Sequence, residues 1–381
     1  FSEGAYGPLI SWQVEPPETT GPARLEFAEL RDEGWTTPRT VVKRSDLFVN
    51  WADFPSVVSL GSGRLAAHWL QYNGPGTYAY QVRMAFSDDG GTTWSEPFIP
   101  HERATQTEHG FVSLVPATVG VDVFWLDGRE YEGGSEEMSF RHARVLPPGS
   151  PGGAAASGTS RTPASAAVDS TVGETVLDPR TCDCCQTDVA RVGEDLVAVY
   201  RGRSDTEIRD VEVVRRVDGR WGAPRAVHDD GWRIDACPVN GPAVAAFGRD
   251  IVVTWFTAAA DSARVLAARS TDGGASFEAP IRIDDGRPLG RVDALSLGDG
   301  GTALAWVEAI DDEEGTMGAG AEVRLRVIDA DGRVSVSVPV ARGSGARASG
   351  FPVLARAGGD ILVAWTDSDA GRVRIARGAA H

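Results

Sequence analysis

Four cysteines concentrate the chain's reactive side chains: Cys182, Cys184 and Cys185 in the run Cys-Asp-Cys-Cys, and Cys237 further on. Two chemistries are open to them. One is disulfide formation, for which four cysteines allow three connectivities that a sequence does not choose between. A direct Cys184–Cys185 bridge would need unusual local geometry. The other is a soft metal site, with Cys182 and Cys184 on one side of an extended segment and His109 joining them. Thiolate with imidazole suits Cu(I) or Zn²⁺, although Cys-x-Cys-Cys is not a zinc-ribbon spacing.

The elements that must position these residues are repeats. An apolar strand ending in an aromatic returns seven times, at Trp12, Trp69, Trp125, Tyr200, Trp255, Trp306 and Trp365. Around each, short apolar runs separated by Gly/Asp turns, with no helical period, read as a four-stranded antiparallel meander. Such meanders repeated about an axis make an all-β fold, the β-propeller. Seven blades are expected, with six open if the two chain ends share one. The first unit lacks a clear innermost strand and the last stops after three strands. The chain is read as one propeller domain over residues 1–381. It is interrupted at about 146–170 by a Pro/Gly/Ala/Ser tract that buries little and reads as a mobile insertion.

Two turns repeat a denser pattern. Ser87, Asp89, Gly91, Thr93 and Trp94 fit Ser-x-Asp-x-Gly-x-Thr/Ser-Trp/Phe, and Ser270, Asp272, Gly274, Ser276 and Phe277 fit it with Phe last. The pattern resembles the Asp box of sialidase-like (BNR-repeat) propellers. Short Ser and Asp side chains hydrogen-bond such a turn's own backbone, and Gly supplies its positive φ. The boxes are therefore expected to be structural, lying between the third and fourth strands. Parity then puts the loops between second and third strands, and the crossovers between blades, on the opposite face, where the resemblance implies a site.

That face is expected to carry Asn50, Trp51, Asn73, His109 and Asn240 as ligand-binding residues, together with all four cysteines. His68, within a strand, is expected to be packed or on the surface. The resemblance also implies what a sialidase would need: three arginines, a Tyr polarised by a Glu, and an Asp acid/base, an exception to the two-carboxylate rule. Asp53 stands where the first arginine of that family is expected, and its charge would repel a substrate carboxylate. If the chain is an enzyme, Asp53, Arg129, Tyr131, Arg201, Arg203 and Arg291 are the candidates. Tyr131 with Glu132, or Tyr200 with Glu207, would supply the nucleophile, and Asp53, Asp127 or Asp183 the acid/base.

Composition narrows the partners. Across 381 residues the net charge is −17, and Lys43 is the only lysine. This balance argues against nucleic acid, which needs clustered cations. No apolar run approaches the roughly 20 residues of a membrane-spanning helix. The chain begins Phe-Ser-Glu without Met, so removal of an export segment is expected, with a periplasmic or extracellular location. The function expected is a non-catalytic binding or scaffold protein whose loop face meets a protein or a glycan, free or as a subunit of a larger assembly. The alternatives are a glycoside hydrolase or polysaccharide lyase, and a copper- or zinc-binding protein. No cofactor beyond such a metal is implied.

Overall fold

The strand Arg64–Tyr72, RLAAHWLQY, is buried from Leu65 to Gln71, on both of its faces. A strand covered on both sides has to satisfy any polar atom that it carries inward. Trp69, Trp125, Trp255 and Trp306 are fully buried. In three of these strands the indole N–H donates to the side chain two residues on, which shares its face: Trp69 to Gln71 at 3.4 Å, Trp125 to Asp127 at 2.6 Å and Trp306 to Glu308 at 2.6 Å. Trp255 donates instead to Asp230, also at 2.6 Å. Tyr200, the one repeat ending in tyrosine, is likewise buried.

A computed structural model describes residues 1–16, 21–150, 171–311 and 320–379. Most of the tract expected to be a mobile insertion, 151–170, lies outside them. The described chain folds into seven antiparallel sheets in sequence order, a seven-bladed β-propeller with only three short 3-10 turns. It divides into two compact units, Phe1–Asp183 and Cys184–His381. The first holds three blades. Blade 1 is built on Pro8–Val14, Ala23–Arg31 and Arg39–Arg44. Blade 2 is Ser56–Gly61, Arg64–Tyr72 and Tyr80–Ser87, with a fourth edge where Met84 bridges Phe98. Blade 3 is His109–Pro116, Val121–Asp127, Met138–Val145 and Thr171–Thr181.

The second unit holds four. Blade 4 begins with Asp188–Val192, Asp195–Arg201 and Val211–Val217. Blade 5 is Ala243–Phe247, Asp250–Thr257, Arg264–Ser270 and Ile281–Arg282. Blade 6 is Pro288–Ser296, Thr302–Ile310, Gly320–Ile328 and Val338–Ser344. Blade 7 has three strands, Val353–Ala357, Asp360–Asp367 and Arg372–Ala379. Among the described residues no helix is long and apolar enough to cross a membrane.

The two dense turns lock themselves as their side chains dictate. Ser87 Oγ accepts from Gly91 N at 2.8 Å and donates to Asp89, whose carboxylate takes the N–H groups of Thr92 and Thr93. Ser270 and Asp272 repeat the bonds with Gly274 and Ser276. The aromatic that follows packs against a neighbouring blade: Trp94 meets Phe27 of blade 1 edge-on at 6.1 Å, and Phe277 sits against the apolar cluster holding Val192 and Val197 of blade 4. Gly91 has φ +82° and lies so close to Phe27 that a Cβ would collide with the ring, whereas Gly63, at φ +76°, has open space around it.

These two glycines separate backbone from packing costs. Gly63→Ala should cost about 1 kcal/mol, the left-handed penalty alone. Gly91→Ala should cost about 3 kcal/mol, because overpacking is added to it. Urea unfolding followed by tryptophan fluorescence measures both; equal losses would remove the packing argument.

Candidate functional site

Within the first unit the crossovers into blades 2 and 3 bring together groups that are distant in sequence. Asn50 Oδ1 accepts from the N–H groups of Ala52 (2.8 Å) and Asp53 (3.3 Å), a side-chain-closed turn that aims Asp53 inward. Asp53 Oδ1 takes the N–H of Phe111 at 2.7 Å, the bond being made where Phe111 adopts φ +52°. Gly110 permits the approach, since a Cβ there would collide with the Asp53 carboxylate. The Tyr80 hydroxyl lies 2.9 Å from Asp53 Oδ2 and 2.7 Å from Glu108 Oε1, and Phe48 stacks on its ring at 3.9 Å.

One hydroxyl proton cannot serve two ionised carboxylates. Tyr80 donates to one, and the other carboxyl must donate back to the tyrosine oxygen. Burial pushes Asp53 up to about 7 against the opposing bonds from Phe111 and Tyr80. Burial likewise pushes Glu108 up to about 8, with Asp53, Asp183 and Cys182 adding to the rise and the Tyr80 bond opposing it. Tyr80 itself is driven well above 10 by burial and by both carboxylates. A nucleophilic tyrosine needs the opposite. The trio therefore favours a stored proton over a phenolate.

Sequence reasoning named Asp53 but missed Tyr80 and the role of Glu108. The available signal was positional. Tyr80 opens a third strand, so it emerges on the same face as the loop before it.

Beside the trio, His101 and His109 stack at 4.4 Å, each with Nδ1 against a backbone carbonyl, of Arg103 and Thr107 respectively. Burial lowers both imidazoles, so they are neutral near pH 7. His109 Nε2 faces Thr105 and Asp127. Although burial opposes it, Arg129 holds Asp127 below the usual carboxylate range through bonds of 2.7 and 2.5 Å. Arg129 also pairs with Glu174 at 2.8 Å, which Arg141 reaches at 2.7 Å.

Tyr131 is half-buried in the 3-10 turn Arg129–Gly133, its ring against Gly128. Glu132 reaches Arg103 at the surface. Asn73 binds the Thr105 carbonyl at 2.8 Å and so steadies the crossover into blade 3. Trp51 is half-buried. His68 is buried against Ser56, and its burial lowers it to about 3.

In the second unit the candidate cations are framework. Arg201, 1% exposed, donates to the carbonyls of Asn240, Arg209 and Phe256 and lies 4.8 Å over Trp232. Arg291 donates to the carbonyls of Gly345, Ala346 and Gly350, while its own N–H goes to Asn240 Oδ1 at 2.7 Å. Arg203 pairs with Glu207 at 3.0 Å, and Arg209 reaches the same carboxylate at 2.9 Å. Glu207 therefore serves two arginines.

Cys184 is bonded to Cys237, with Cα atoms 6.0 Å apart. Cys182 and Cys185 stand outside that bridge, both buried. The His109 ring is turned to Thr105, Thr107 and Asp127.

No family model and no curated protein matches the chain. Solved structures match at low identity. A Trypanosoma rangeli sialidase mutant displaying trans-sialidase activity is 12% identical, with 96% of this chain and 58% of that one covered at a TM-score of 0.49. A Mycobacterium tuberculosis puromycin-hydrolyzing peptidase is 14% identical, covering 96% and 51%, also at 0.49. A Dyadobacter fermentans protein of unknown function is 16% identical, covering 87% and 96%, at 0.46.

The stored proton has a measurable consequence. Asp53 and Glu108 bind protons more tightly folded than unfolded, so stability is greatest at low pH within the window and falls as pH rises from about 4 to about 8. Each group contributes at most about 1.4 kcal/mol per pH unit. Asp53→Asn keeps the bonds to Phe111 and Tyr80 and should flatten the decline in thermal midpoint between about pH 5 and 8. An unchanged slope would show that Asp53 is ionised in the folded chain.

Proposed function

We propose that this chain is a non-catalytic binding module, which offers the loops after the second strands and the crossovers between blades to a partner protein. The observation that carries this reading is the use made of the candidate catalytic groups. Arg129, Arg201 and Arg291 each donate to several acceptors within the chain. Side chains committed in this way stiffen loops, and stiff loops lower the entropy cost of association.

The same loops leave aromatic surface exposed: Tyr72 and Tyr78 in the blade 2 loop and Phe54 in the crossover before it. Tyrosine is enriched among residues that dominate binding energy. The Ser87–Trp94 and Ser270–Phe277 turns support reading the scaffold as a sialidase-like propeller with Asp boxes. The Cys184–Cys237 bridge supports export to an oxidising compartment.

One observation favours a second reading, a glycoside hydrolase. Glu108 is only partly covered and holds its proton to about pH 8, as a general acid must. Against it, the Tyr80 hydroxyl bonded to Glu108 is driven well above 10, the opposite of what a nucleophile needs.

Gently extracted from its own cells and resolved without denaturant, the protein should migrate well above the 40.4 kDa of this chain. Tyr78→Arg should return it to the monomer position without altering its thermal midpoint. Glycan cleavage that is lost in Glu108→Gln would replace this reading with the hydrolase.

A further inference from the structure

Blades 6 and 7, both in the second unit, meet at a cleft of about 440 Å³ that is open to solvent. It lies at the ends of their second strands and at the crossover between them, on the face that the binding reading uses. Val307, Val323, Ala341 and Pro352 give it an apolar wall, and Arg342, Trp365 and Asp367 bring polar groups to it. Mostly apolar walls with a few placed polar groups are the usual form of a ligand site. We propose that this cleft binds the carboxyl-terminal residue of a partner polypeptide, with an apolar side chain against the wall and the carboxylate at Arg342. The assignment rests on the binding-module reading and names the chemistry of the partner.

Two donors in the cleft are uncommitted. In blades 3, 5 and 6 the indole N–H of the second-strand tryptophan is bonded to a carboxylate. Blade 7 carries an acid two residues beyond its tryptophan, Asp367, but Arg374 takes one of its oxygens at 2.5 Å and the N–H of Ala370 the other at 3.0 Å. The indole N–H of the half-buried Trp365 has no acceptor among the described residues. Arg342 differs from Arg201 and Arg291 in the same way. Its Nε donates to Glu322 at 2.9 Å, whereas the terminal nitrogens of this 72% exposed side chain have no acceptor among the described residues.

Such a lining selects an acceptor. The nearby carboxylates are engaged, Asp367 by Arg374 and Glu322 by Arg342 and Arg324, the last at 3.1 Å. Arg291 also lines the cleft, and burial, followed by the Arg347 charge, lowers it from its ordinary value. A carboxylate entering here is among cations, and a guanidinium holds it through paired bonds. A neutral sugar, rich in hydroxyl donors, would need the acceptors that are already occupied. A chain terminus supplies the carboxylate together with a backbone carbonyl for the Trp365 indole, while the rest of the partner stays outside the open mouth.

The test titrates the whole ¹⁵N-labelled chain with the peptide acetyl-Gly-Ala-Leu bearing a free carboxyl group. The Trp365 indole N–H resonance, identified by its loss in Trp365→Phe, should move to saturation. The same peptide with its terminus amidated should bind about tenfold more weakly, the loss of one charged hydrogen-bonded partner. Arg342→Gln, an exposed change, should weaken the acid peptide by the same factor and abolish its advantage over the amide. If Trp365→Phe does not fold, calorimetry on wild type and Arg342→Gln still decides the matter. Equal affinity for acid and amide, an acid preference that survives Arg342→Gln, or 4-methylpentanoate binding as tightly as the peptide would each overturn the proposal. Absence of peptide binding in a protein that still migrates in its native assembly would overturn this site and leave the binding reading standing.

Discussion

The bond on which the blades depend is one between a buried polar side chain and a backbone N–H of the next blade's first strand. A first strand is paired on one side only, so its outward N–H groups need acceptors. In the first unit Asp53 takes the N–H of Phe111. In the second, Asp188 takes that of Val244 at 2.7 Å, Asn240 that of Arg291 at 2.7 Å and Asp293 that of Leu354 at 2.6 Å. Burial raises Asp188 to about 6 and Asp293, with Asp188 as a like-charged neighbour, to about 7. A protonated carboxyl still accepts through its carbonyl oxygen, so the device tolerates neutralisation. It also explains why so acidic a chain can bury carboxylates at its blade junctions.

Arginine does the complementary work. Where acids serve N–H groups, Arg201 and Arg291 serve carbonyls, each gathering loop ends that no strand partner reaches. Its planar fork of five donors holds several acceptors at once. Removing such a partner leaves buried carbonyls unsatisfied, which costs about 1–3 kcal/mol for each. These positions are therefore strongly constrained for structural reasons, and arginine content on a loop face is a poor guide to anion recognition here.

The seven second strands were legible because each must be apolar on both faces and ends in an aromatic, a pattern confined to consecutive residues. The dense turns were legible for the same reason, since Ser87 and Asp89 bond to residues within the turn. The hydrogen-bonded trio was not. Tyr80, Asp53 and Glu108 belong to three segments whose proximity depends on register and crossover geometry. Glu174 was missed as the partner of Arg129 because it follows a tract with no strand signal. The cysteines were recognised as a group, but choosing Cys184 over Cys182 or Cys185 for Cys237 requires the angle at which two crossovers meet. His109 was drawn toward them by its address on the same face, whereas its ring direction is set by Thr107 and Asp127.

The place of the disulfide among the other junction bonds bears on what it is for. Cys184 and Cys237 lie on the crossovers into blades 4 and 5, and the same two segments are already tied together. Gln186 accepts from Gly241 at 3.1 Å, Asp188 accepts from Val244, and Arg201 holds the Asn240 carbonyl through two donors. A disulfide stabilises mainly by closing a loop in the unfolded chain, typically by 2–4 kcal/mol. In the folded chain, opening this bridge leaves the neighbouring bonds to keep the crossovers in register. A bridge whose native geometry is held by independent contacts can be reduced without dismantling the junction.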